Sequence, residues 1–72
     1  MDKEIFAQRI KKARHDTGFT QKEVSIQTGI LKSKIAKIET GYQEPDLEAL
    51  GTLADFYGVS IDWLIGTKGE KR

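Results

Sequence analysis

Apolar residues return at helical spacing along nearly the whole chain, interrupted at intervals by glycine. Phe6, Ile10 and Ala13 mark one face of a first helix over Lys3 to about Thr17, with Arg9, Lys11 and Lys12 on its other faces. Gly18 follows as a left-handed cap residue. Thr20 is an N-cap with Glu23 three residues on, a capping box that opens a short second helix reaching about Thr28. Gly29 turns the chain, and a third helix runs from about Leu31 to Thr40, stopping at Gly41. Pro45 and Asp46 start a fourth, with Asp46 as N-cap and Leu47, Leu50, Leu53, Ala54 and Tyr57 as its apolar stripe, ended by Gly58. Ser60 caps a fifth that holds Ile61, Trp63, Leu64 and Ile65 and closes at Gly66. No strand alternation interrupts this pattern. It predicts an all-α chain, one compact five-helix domain over residues 1–66, with a polar, loose tail over 67–72.

The third helix separates its chemistry by face. Each residue advances about 100° around the axis. With Ile35 at zero, Leu31 and Ile38 fall within about 60° of it and form the expected buried stripe. Ser33, Ala36, Lys37 and Thr40 fall at about 160°, 100°, 200° and 140°, away from the core, with Lys32 and Lys34 flanking them. The exposed face is therefore small, hydrogen-bonding and cationic, with no carboxylate at its centre. Lysine can donate to the acceptor edge of guanine, serine can pair either way, and an alanine methyl can meet a thymine methyl.

Composition narrows the function classes. The chain has 72 residues, enough for one domain with a thin stability margin. It has no cysteine, and a lone His15 cannot build a zinc centre, so no metal or cofactor is expected. His15 reads as a solvent-facing side chain near a helix end. Asp62, Asp46, Glu44 and Glu48 have no partner nucleophile or phosphate-cradling glycine loop, which argues against an enzyme. No apolar run approaches the ~20 residues of a membrane span. The leading MDKEIF lacks a signal core, so a cytoplasmic protein is expected. A core this small leaves little room for an effector pocket. Net charge is only +1, but it is unevenly spread. Residues 1–40 carry nine Lys and Arg against five Asp and Glu, whereas 41–72 carry three against six. That split suits a basic face toward a polyanion and an acidic face turned away.

The segment GFTQKEV, then Gly29-Ile30, Ile35, Ile38-Glu39, Gly41, Pro45, Leu47 and Leu50, and finally GVSIDWLIG, resembles the Cro and phage-repressor type of helix-turn-helix, the Xre-like family. The likeness covers about residues 6–65. It implies a five-helix, lambda-repressor-like DNA-binding fold in which the second and third helices form the motif and the third reads bases. Lys32, Ser33, Ala36 and Lys37 match the family's base-reading positions, in agreement with the helical angles. Gln21 matches a glutamine that binds a phosphate and braces the recognition helix. The resemblance also points to Thr20, Lys34, Tyr42 and Gln43 as backbone-phosphate contacts, with Lys11 and Arg14 as further candidates. Arg14 and Glu39 match an ion pair between the first and third helices.

Several positions depart from the family pattern. Leu31 stands where a capping serine or threonine is usual, Thr28 where leucine is common, Ile26 where a polar residue is preferred, and Gly51 interrupts the fourth helix. Trp63 fits the core or an anchor in a dimer interface. The resemblance implies a prokaryotic or phage-encoded transcriptional regulator of repressor type, a homodimer on a palindromic double-stranded operator with half-site centres ~34 Å apart. The alternative is a protein-interaction module of the same fold, an antitoxin or adapter, using the acidic half and Ile26. A third reading makes this the DNA-binding part of a longer regulator.

Overall fold

Four of the five helices begin where a side chain can satisfy open backbone amides. The computed structural model describes residues 1–67, folded as α1 (Lys3–Thr17), α2 (Gln21–Thr28), α3 (Lys32–Glu39), α4 (Leu47–Tyr57) and α5 (Ile61–Ile65). Asp2 accepts from the amides of Glu4 and Ile5 ahead of α1. The capping box of α2 is complete: Glu23 N donates to Thr20 Oγ1 (3.1 Å) and Thr20 N to Glu23 Oε1 (2.9 Å). The Thr20 amide, and the Thr20 hydroxyl beside it, hold the Glu23 carboxyl below its ordinary range. Asp46 caps α4 through Ala49 N, and Ser60 caps α5 through Trp63 N. α3 starts at Leu31 with no side-chain cap.

One face of each helix meets the others in a single core, since α1 packs on α3, α4 and α5 while α2 packs on α3 and α4. It holds Phe6, Ile10 and Ala13 of α1, Val24 of α2, Ile35 and Ile38 of α3, Leu53, Ala54 and Tyr57 of α4, and Trp63 and Leu64 of α5. Between α1 and α2, Phe19 lays its ring against Phe56, centroids 5.1 Å apart. Trp63 is a core residue, which removes it as an exposed interface anchor. The Arg9 guanidinium lies over its ring at 5.2 Å and donates through Nη1 to its carbonyl.

Two leucines expected in buried stripes are on the surface. Leu31 is 71% exposed because it precedes the helix, with φ −58° and ψ 137°, so the helical angle assigned to it does not apply. Leu47 is 85% exposed. It lies about 120° around the axis from Leu53. Ala49 takes the inward place in that first turn. Thr28 turns its hydroxyl to the backbone. Its hydroxyl donates to Val24 O (2.7 Å) and accepts from Ile30 N (3.2 Å), closing the turn in which Gly29 adopts φ +78°. Thr67, expected in the tail, is tied to Asp62 O by its amide and hydroxyl and so finishes α5. The remaining tail, 68–72, lies outside the described residues.

One buried polar atom is left over. Tyr57 Oη has no hydrogen-bond partner among the described residues. Burial, together with the nearby Glu39 charge, pushes its phenol well above the ordinary range. Replacing both the hydroxyl and its desolvation cost by a plain ring is expected to be neutral or stabilising by up to about 1 kcal/mol. Thermal denaturation of Tyr57→Phe checks this; a clear drop in midpoint would mean that the hydroxyl bonds something in solution.

Candidate nucleic-acid interface

Three helices converge on a single buried carboxylate. Glu39, at the end of α3, has a side chain only 3% exposed. Arg14 of α1 grips it with a two-pronged contact, Nε to Oε2 at 2.8 Å and Nη2 to Oε1 at 2.9 Å. Gln21, the first residue of α2, donates from Nε2 to the same Oε1 at 3.2 Å. Arg14 also donates from Nη1 to Phe19 O (3.0 Å), tying in the loop between α1 and α2. The fork raises the already high Arg14 pKa, chiefly through its hydrogen bonds to Glu39. This junction, with Ile35 and Ile38 behind it, fixes how far α3 stands out from the core and at what angle.

Glu39 is the sole carboxylate of α3, and it points inward, already neutralised. The outward side carries Lys32, Ser33, Lys37 and Thr40, all exposed, with Ala36 half-buried between them. This is the face that the helical angles assigned to solvent. Tyr42 is exposed beyond the helix end and, with Ala36, Lys37 and Thr40, borders a shallow, open apolar depression. The amides of Tyr42 and Gln43 both donate to Lys37 O, so that turn is closed onto α3 and only its side chains project.

The remaining sequence candidates divide. Thr20 and Lys11 are exposed, and Gln21 and Gln43 half-exposed. Arg14 is not free as a phosphate ligand: its side chain is 11% exposed and its three guanidinium nitrogens all have partners, Nη2 also lying 3.2 Å from His15 Nε2. Lys34 is likewise engaged. Its Nζ meets Asp46 Oδ2 at 2.6 Å and its side chain is 29% exposed. That pair, and the Gln21–Glu39 bond, were not read from the sequence. Neither joins residues at helical spacing, so no local pattern announces it. Among the described residues no group of His, Cys, Asp or Glu could hold a metal ion, and no helix is long and apolar enough to cross a membrane.

Comparison with known proteins agrees with this geometry. The profile of the family described as "Helix-turn-helix domain" matches residues 7–70. The chain is 38% identical over 58 residues to the HTH-type transcriptional regulator ImmR of Bacillus subtilis, covering 81% of this chain and 46% of that protein. It is 38% identical over 67 residues to the SPbeta prophage-derived uncharacterized HTH-type transcriptional regulator YonR of Bacillus subtilis, covering 92% and 62%. It is 36% identical over 61 residues to the cryptic phage CTXphi transcriptional repressor RstR of Vibrio cholerae, covering 85% and 55%. The chain thus spans about half the length of these relatives. With the motif in place, its outer helix bare and its profile matched over most of its length, the chain belongs to the Xre-like helix-turn-helix family, whose matched members are named as transcriptional regulators.

Proposed function

We propose that this domain binds double-stranded DNA with α3 in the major groove and acts in a transcriptional repressor, as a homodimer on a palindromic operator. One observation carries the reading: α3 is braced through a buried Arg14–Glu39–Gln21 junction, with a carboxylate-free lysine and serine face turned outward. Lys32, Ser33, Ala36 and Lys37 read base edges. Thr20, Gln21, Tyr42, Gln43 and Lys11 position the backbone without choosing sequence. Half-site centres stand ~34 Å apart, one helical turn. The phage repressor among the relatives supports repression.

Fluorescence titration of duplex DNA at rising salt tests this. Each neutralised phosphate contributes about −0.9 to the slope of log affinity against log salt. A slope of about −4 or steeper is expected for the dimer. Gln21→Ala, which loosens α3 and removes a phosphate contact, should weaken every sequence alike by about tenfold, ~1.4 kcal/mol. Absence of duplex affinity at low salt would instead favour a protein-interaction module. The observations behind that second reading are the exposed Ile26 and Leu47, and five Asp and Glu with no Lys or Arg over residues 41–67.

A further inference from the structure

Asp46 uses its two oxygens for two tasks. Oδ1 accepts from Ala49 N at 2.8 Å and caps α4; Oδ2 holds Lys34 Nζ at 2.6 Å. The cap fixes the carboxylate, so only the lysine chain must be ordered to make the pair. Lys34 lies on the flank of α3, in a groove between the α2–α3 turn and the start of α4 that Asp46 and Glu48 also line. Its ammonium therefore meets the Asp46 carboxylate at the edge of the interface. The Lys34 contact is the largest influence holding the Asp46 carboxyl below its ordinary range.

We propose that Asp46 limits the sequence-independent affinity of the domain: by tethering Lys34 it withholds one cation from the DNA backbone. The inference rests on the DNA-binding reading above. Backbone contacts supply sequence-independent affinity, and base contacts supply choice. A lysine kept off the phosphates weakens binding to every duplex while leaving the base-reading side chains untouched. Specific and non-specific complexes lose the same factor, so Asp46 lowers overall affinity and its salt dependence and leaves sequence choice to the base-reading side chains. A phosphate seeking Lys34 must displace a fixed carboxylate and then lie beside its uncovered charge.

Asp46→Asn removes the charge and keeps a side chain that caps as well as aspartate. Asp46→Ser is a second cap-preserving variant, and thermal melting confirms that each is folded. Random-sequence duplex is titrated at several salt concentrations with the native chain, Asp46→Asn, Lys34→Gln and the double variant. Asp55→Asn, another exposed acid of α4, controls for net charge. Asp46→Asn should tighten non-specific binding several-fold more than Asp55→Asn. It should also steepen the salt slope by about 0.9 for each protomer. Lys34→Gln should change the native chain less than about twofold and abolish the gain in the Asp46→Asn background. Three results overturn the proposal: a flattened slope for Lys34→Gln in the native background, a gain from Asp55→Asn equal to that from Asp46→Asn, or effects of Lys34 and Asp46 that simply add. Each of these requires measurable binding and leaves the DNA-binding reading intact. If the native chain and every variant fail to bind at low salt, that reading falls and takes the proposal with it.

Discussion

Glu39→Ala is expected to lower the unfolding free energy by about 3–5 kcal/mol, because it strands a nearly buried guanidinium. The side chains concerned are 11% exposed for Arg14 and 3% for Glu39, so water cannot readily replace the lost partner. Total stability of a domain this size is roughly 4–10 kcal/mol, at about 0.05–0.15 kcal/mol per residue. A substantial fraction of the variant should therefore be unfolded at physiological temperature. Arg14→Ala should act similarly, since it leaves the Glu39 carboxylate with only the Gln21 amide. The double replacement Arg14→Met with Glu39→Leu should cost much less than the two single losses added together, because neither charge is then stranded. Thermal and urea unfolding followed by circular dichroism check all three. A loss below about 1 kcal/mol for Glu39→Ala would show that the junction is ornamental.

The second large effect is on binding. Lys37→Glu places a carboxylate in the middle of the exposed α3 face, where the native helix has none. On the DNA-binding function proposed above, it removes one donor to the guanine edge and sets a negative charge against the phosphates. Duplex affinity should fall at least about a hundredfold, ~2.7 kcal/mol. The fold should survive, since Lys37 is exposed. Reversing a charge in the last turn of a helix costs about 0.3–1 kcal/mol through the helix dipole. Anisotropy titration beside a thermal melt separates the two. Loss of binding with a nearly unchanged melt is the expected combination.

What could be read without coordinates was what the chain encodes locally. Thr20 with Glu23, Asp46 with Ala49 and Ser60 with Trp63 each act over three residues, so caps and helix starts were legible to within a residue. The outward face of α3 follows from its angles with Ile35 and Ile38 buried. Leu31 departs from its helical angle because it stands just outside the helix. Leu47 failed for another reason: it lies on the edge of the stripe, in a first turn where Ala49 makes the inward contact. The Arg14–Glu39 fork came from family likeness alone, and its geometry is as that likeness implies. Arg14, a further phosphate candidate by the same likeness, spends three of its five N–H donors on Glu39 and Phe19, and its side chain is 11% exposed. Lys34 is a phosphate candidate only through the family likeness. Its partner arrives from α4, twelve residues later, and the order of residues gives no hint of which acid will be within reach.

The most direct test selects bound duplexes from a random pool with the native chain, Ser33→Ala and Lys37→Ala in parallel. The native chain should enrich paired half-sites centred ~34 Å apart. Each variant should lose preference at particular base positions, by about 1–3 kcal/mol per contact, while keeping the half-site spacing. Identical preferences for all three proteins, or no enrichment with the native chain, would contradict base reading by the outward face of α3.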